Sequence, residues 1–250
     1  MSKRGSRIPK KLKNDAILEA IFELRFETTT KSEFLVVKLA EHEPWRHFIQ
    51  SRLPAYSFPE PVRQLDPNLR FLPIFELLEP TNQRSVRIGP NVLSYHLRSP
   101  YDRWGTFSEE LAGTVKALFE TAEAPLIDRL GLRYLNAFTP ESHGINKFSE
   151  LDIKVCVGGS SVDDGVNINV MSRLSEDTVC AVRVATPDFV LGSLPPTTSV
   201  LADIDVFTPE HVQMKNQADV MRWLEAARLT KNIEFFALLT DKTIDDLEEK

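Results

Sequence analysis

Cysteine is scarce in this chain and unclustered. Cys156 and Cys180 are the only two in 250 residues, and no C-x-x-C pair occurs. The five histidines, His42, His47, His96, His143 and His211, are scattered. A disulfide scaffold and a zinc site at turn spacing are therefore excluded. Both cysteines stand in apolar runs, so the sequence predicts two buried free thiols in a reducing compartment. Glycine is sparse at ten residues, against about 7% in ordinary proteins, and carries no repeat. No apolar run is long enough to span a bilayer, and no apolar stretch follows the basic N-terminus. The expectation is a cytoplasmic chain without signal peptide or membrane anchor. G-x-S-x-G, the Walker loop, G-x-G-x-x-G and H-E-x-x-H are all missing.

What is present is a hydrophobic share of 42% with 26% charged residues, ordinary globular usage in a length that buries a core unaided. The net charge of −6 is uneven. Residues 1–13 hold six of the 30 basic side chains and none of the 36 acidic ones, so the rest is twice as negative as the whole. A body of that sign is not built to grip nucleic acid. The segment 1–13 reads as a disordered basic arm, a route to an acidic partner or a nucleic acid.

Ala16, Leu18, Ala20, Phe22, Leu24 and Phe26 alternate with Ile17, Glu19, Ile21, Glu23, Arg25 and Glu27, the pattern of a strand with one core face. Thr30 and Glu33 form a capping-box pattern that opens a helix over 31–43, and Thr106 and Glu109 form another over 106–122. Residues 51–68 hold four prolines and read as irregular chain. Strands are predicted over 69–79 and 84–98, joined as a hairpin, with Gly89-Pro90-Asn91 as a bulge or bend in the second. A long strand follows over 126–138, then a meander over 151–157, 166–171 and 178–185, a Pro/Gly/Ser loop to residue 198, a strand over 200–207 and a helical region over 216–239 with a kink at 230–232. Helices do not alternate with strands one for one. The fold class is therefore α+β: curved, mainly antiparallel sheet covered on one face by amphipathic helices. We expect one body over 14–250, with loosely similar halves 14–125 and 126–250.

Four blocks carry a family resemblance over most of the chain. Leu12-Lys13-Asn14-Asp15-Ala16-Ile17-Leu18-Glu19 with the strand behind it, Val86-Arg87-Ile88-Gly89-Pro90-Asn91-Val92-Leu93, Gly131-Leu132-Arg133-Tyr134-Leu135-Asn136 and Leu201-Ala202-Asp203-Ile204-Asp205 stand in that order. They resemble a sporadically distributed family of bacterial proteins of about this length. The chain departs from it at Asp15-Ala16, where the family has Ala-Pro. The resemblance implies a bacterial cytoplasmic protein and supplies no activity, cofactor or catalytic residue. Its sporadic distribution suits defence or toxin–antitoxin type operons.

Four groups could carry chemistry. Asp203 and Asp205, two apart on a strand, point to one face and could hold Mg²⁺. With Gly192-Ser193 upstream they are similar to a nucleotidyltransferase signature, although Pro195-Pro196 breaks the spacing. Glu19, Glu23, Arg25 and Glu27 are similar to the wall of a triphosphate-tunnel enzyme, interrupted by Ile21; cross-strand ion pairing is the simpler reading. Arg133, beside Tyr134 and Asn136, must find an acceptor, with Glu23 or Asp205 as candidates, or hold an anion. Tyr101, Arg103 and Trp104 suit a protein interface or a staple over a helix start. The leading expectation is a non-enzymatic accessory protein acting through protein–protein contact, with no cofactor and no metal. A metal-dependent enzyme on nucleotides or polyphosphates at Asp203 and Asp205, aided by Glu23 and Arg133, is the first alternative. A small-ligand carrier with a cavity between sheet and terminal helix is the second.

Overall fold

The computed structural model describes residues 8–9, 11–43, 45–190 and 194–249. Among these the strands are β1 (Ile17–Glu27), β2 (Ile49–Arg52), β3 (Phe75–Leu78), β4 (Arg84–Ile88), β5 (Val92–Arg98), β6 (Leu126–Phe138), β7 (Cys156–Val157), β8 (Ser160–Ser161), β9 (Asn167–Arg173), β10 (Val179–Ala185) and β11 (Val200–Phe207). The helices are α1 (Ser32–Glu41), α2 (Glu60–Leu65), α3 (Arg103–Thr121), α4 (Pro140–His143), α5 (Gln217–Ala237) and α6 (Asp241–Leu247). Nine strands form one sheet in the order β2-β3-β4-β5-β1-β6-β11-β10-β9, and β7 pairs with β8. This is the expected α+β class. No helix among the described residues is long and apolar enough to cross a membrane.

The chain groups into two compact units, with breaks after Leu18, Leu132, Val206 and Glu225. One holds residues up to Leu18, Arg133–Val206 and the chain from Ala226; the other holds Glu19–Leu132 and Phe207–Glu225. Strands β1 and β6 and helix α5 each contribute residues to both.

In the second unit the alternation in β1 does what its sequence dictates. Ala20, Phe22, Leu24 and Phe26 are buried while Glu19, Glu23 and Arg25 stay half-buried. Each large apolar side chain removed from water contributes roughly 1.5–3 kcal/mol. Helices α1 and α3 close one sheet face with Leu35, Val36, Leu39, Phe107, Leu111, Val115 and Leu118. The Tyr95 hydroxyl donates to Glu110 of α3 at 2.9 Å, which assigns Leu93, Tyr95 and Leu97 to the helix side. Because strand side chains alternate, Ser94, His96 and Arg98 face the other way.

Several expectations are corrected. Gly89-Pro90-Asn91 is no bulge in one strand; it is the turn that folds β5 back on β4, with Ile88 opposite Leu93. A Cβ at Gly89 would stand 2.8 Å from the Leu72 carbonyl oxygen and 2.8 Å from Val92 Cγ1, so only glycine fits there. Neither capping box forms. Helix α1 starts behind Lys31 without a side-chain cap, and Thr30 Oγ1 instead accepts from the Glu123 amide at 2.8 Å. Helix α3 starts three residues early, behind Asp102, which leaves Thr106 and Glu109 inside it. The irregular stretch 51–68 contains the end of β2 and the short helix α2. Cys180 is buried but Cys156 is exposed, because its strand has only two residues. Helix α5 is assigned as one element from Gln217 to Ala237, with no break at the expected kink.

The other unit begins earlier than residue 14. Lys13 N–H donates to the Leu247 carbonyl at 2.9 Å, Glu249 N–H donates to the Lys11 carbonyl at 3.1 Å, and the Lys11 ammonium pairs with the Glu249 carboxylate. The end of the basic segment is thus built into the body. Residues 1–7 and Lys10 lie outside the described residues.

Candidate functional site

The nominated residues separate into ion pairs and packing. Arg133 meets Asp203 in a bidentate pair, Nε to Oδ1 at 2.8 Å and a terminal nitrogen to Oδ2 at 2.6 Å. The Asp203 carboxylate is buried and both its oxygens are engaged. Asp205 stands half-buried two residues on. Glu23 accepts from Arg25 Nε at 2.9 Å and from Arg129 at 3.0 Å. Gly192 and Ser193 lie outside the described residues. Among the described residues no group of three or more His, Cys, Asp or Glu is placed to hold a metal ion.

Tyr101 and Trp104 turn inward onto the fully buried Phe107, with ring centroids 5.8 and 6.1 Å away, and Trp104 Nε1 donates to Glu225 at 2.9 Å. Arg103 is exposed with a left-handed φ of 66°. This is the staple reading of that loop.

A constellation not anticipated from sequence stands on the face of β5 that points away from helix α3. Ser94 and His96, two apart on β5, share that face. Ser94 Oγ lies 2.9 Å from His96 Nε2, and His96 Nδ1 lies 3.0 Å from Glu19 Oε1 on β1. Burial raises the Glu19 carboxyl, but the hydrogen bond and charge of His96, with Arg98 and Arg87, outweigh it, and the net direction is down. Burial lowers His96 against the pull of Glu19, so its ring is neutral near pH 7. An ionised carboxylate only accepts, which puts the imidazole proton on Nδ1 and leaves Nε2 to accept the Ser94 hydroxyl. Register places Arg87 of β4 directly opposite Ser94, and Ser85 opposite His96. Arg87 Nε donates to Glu76 at 2.8 Å, which fixes its plane. Ser85 Oγ is buried and has no hydrogen-bond partner among the described residues.

In the other unit, a groove of about 210 Å³ lies between β9, β10 and the C-terminal part of α5. Ile168, Val170, Val182, Val184 and Leu238 line it, with Glu234 as its one acid. Nearby in sequence, Lys231 lies over the Tyr134 ring, Nζ 4.1 Å from the centroid. Burial, then the charge of Arg228, pushes its ammonium down to about 8, opposed by Asp15.

These buried titratable groups make stability depend on pH. His96 and His143 are both lowered by burial, His143 against the opposing pull of Asp15 and Thr139. The unfolded chain binds protons at histidine near pH 6.5, where the folded chain does not. Their contribution is full above that pH and lost as pH falls, so the urea midpoint is expected to drop from pH 7 to pH 5. Lys231 has the same sign in a higher window: its lowered value makes the native protein gain stability from pH 8 toward 10.5. Lys231→Met is therefore expected to raise stability at pH 7 by on the order of 2 kcal/mol, with a smaller gain at pH 10 in matched urea titrations.

No family model matches the chain, and no curated protein matches it.

Proposed function

We propose that the chain is an accessory protein working through protein–protein contact, with the edge strand β9 as its contact surface. One observation carries the reading. β9 ends the sheet, six of its seven residues are exposed, and it carries no charge before Arg173. Proteins ordinarily blunt such edges with lysine, proline or a bulge, because unpaired N–H and C=O groups recruit another strand. Here the edge is left open beside an apolar groove. Its occupant is an extended segment of a partner protein, added as a further strand, with apolar side chains at alternate positions beside Ile168 and Val170 and a basic residue facing Glu234. The family resemblance supplies the setting, a component of a bacterial defence or toxin–antitoxin type operon.

The test titrates synthetic strand-forming peptides of alternating apolar and polar residues, with and without one lysine, against the whole chain. Calorimetry is expected to show binding that favours the lysine peptide, with slowed amide exchange confined to 167–173. Val170→Asp sets a second acid beside Glu234 at an exposed position, so it is expected to weaken binding at least tenfold without lowering Tm. No binding, or protection elsewhere in the chain, defeats the reading. Concentration-dependent dimerisation through β9 would reassign the edge to a second copy.

A further inference from the structure

We propose that Ser94, His96 and Glu19 form a hydrolytic centre for small carboxylic esters, independent of the β9 contact. Hydrolytic serine triads are recognised by geometry and not by order along the chain, and their pattern is serine oxygen to histidine Nε2 with histidine Nδ1 to a carboxylate. Both links are present here at hydrogen-bond length, 2.9 and 3.0 Å, through those atoms.

The surroundings supply the remaining requirements. Arg87, opposite Ser94, is braced through Nε by Glu76 and offers its terminal nitrogens to a developing oxyanion. Ser85, opposite His96, holds a buried hydroxyl without a partner among the described residues, a second donor for that oxygen. Ser94 and His96 are each 5% exposed, so the centre is shielded from bulk water.

The chemistry closes with water as co-reactant. Ser94 Oγ bonds to the carbonyl carbon, its proton passes to His96 Nε2, and the carbonyl electron pair moves onto oxygen toward Arg87. Collapse expels the alcohol oxygen, which takes the proton from Nε2 and leaves an acyl-serine. Water then adds to the acyl carbon and gives a proton to Nε2. Ser94 Oγ departs, recovers that proton, and the acid leaves. Glu19 holds the Nδ1 proton throughout and stabilises the imidazolium formed in each half.

The test is covalent trapping with diethyl p-nitrophenyl phosphate, in which Ser94 Oγ would bond to phosphorus and release p-nitrophenolate. One adduct per chain is expected, mapped by mass spectrometry to the peptide containing Ser94 in the unaltered protein. Ser94→Ala is expected to abolish it, and His96→Gln to slow it at least 100-fold. The labelling rate of the wild type is expected to fall as pH drops below the ordinary histidine range, where His96 becomes protonated. Absence of an adduct on the Ser94 peptide, or labelling of a different residue, overturns the proposal. Because the wild-type map suffices, a variant that fails to fold leaves the answer intact. Peptide binding at β9 is scored separately, so either reading can fail alone.

Discussion

Phe107→Ala is expected to cost about 4 kcal/mol, enough to leave the second unit marginal at 37 °C. The ring is fully buried and is touched by Tyr95, Tyr101 and Trp104 at centroid distances of 5.8–6.1 Å. Its loss removes transfer free energy and leaves a cavity between helix α3 and strand β5. Aromatic partners held at fixed angles cannot relax far into that space. Trp104→Ala is expected to cost less, about 1–2 kcal/mol, since its indole also reaches the surface through Glu225. Urea unfolding of both variants measures the difference. Equal costs would show that Tyr101 and Trp104 do not close over Phe107. A Trp104→Ala variant of unchanged stability would return that loop to the interface reading.

Arg84→Met is expected to cost about 3 kcal/mol. Arg84 donates from Nε to Glu110 at 2.8 Å and from another nitrogen to Gln83 at 3.1 Å, and it pairs with Asp102. Its side chain is 16% exposed and that of Glu110 is 17%, so truncation strands a carboxylate that little water can reach. Tyr95, whose phenol is pushed up by burial and then by Glu110, cannot neutralise that charge. The partner substitution decides the cause. Glu110→Gln in the Arg84→Met background is expected to restore about half of the loss, because the stranded charge is gone. No recovery in the double variant would mean that packing of the arginine stem, and not charge, dominates.

Strands with a strict alternation are legible in the sequence itself. The buried and half-buried positions of β1 alternate as its residues do, β6 runs over the predicted 126–138, and β11 over 200–207. Period-two burial is local information. The two capping boxes fail for the opposite reason: cap geometry depends on how the chain arrives, and Thr30 is held by the Glu123 amide from 93 residues away. The need of Arg133 for a carboxylate is legible, but the identity of that carboxylate is not. The adjacency of β6 and β11 sets Asp203 beside it across 70 residues, where the sequence suggests Glu23 or Asp205. Ser94 and His96 do leave a signal, two hydrogen-bonding side chains on one face of an otherwise apolar strand. Glu19, which gives them a direction, stands 77 positions earlier, and only the β1–β5 pairing brings it there.

The short ladder between residues 11–13 and 247–249 holds these two segments side by side. Lys11 and Glu249 are already hydrogen-bonded neighbours, so a linker of a few residues would join them with little closure entropy. New ends could then be opened at the exposed Gly158-Gly159 turn, which no strand of the nine-stranded sheet uses. A circular permutant of that design would keep every pairing of the large sheet. It would also carry its free ends beside β7 and β8, where attached labels or domains leave the 11–13 and 247–249 ladder undisturbed.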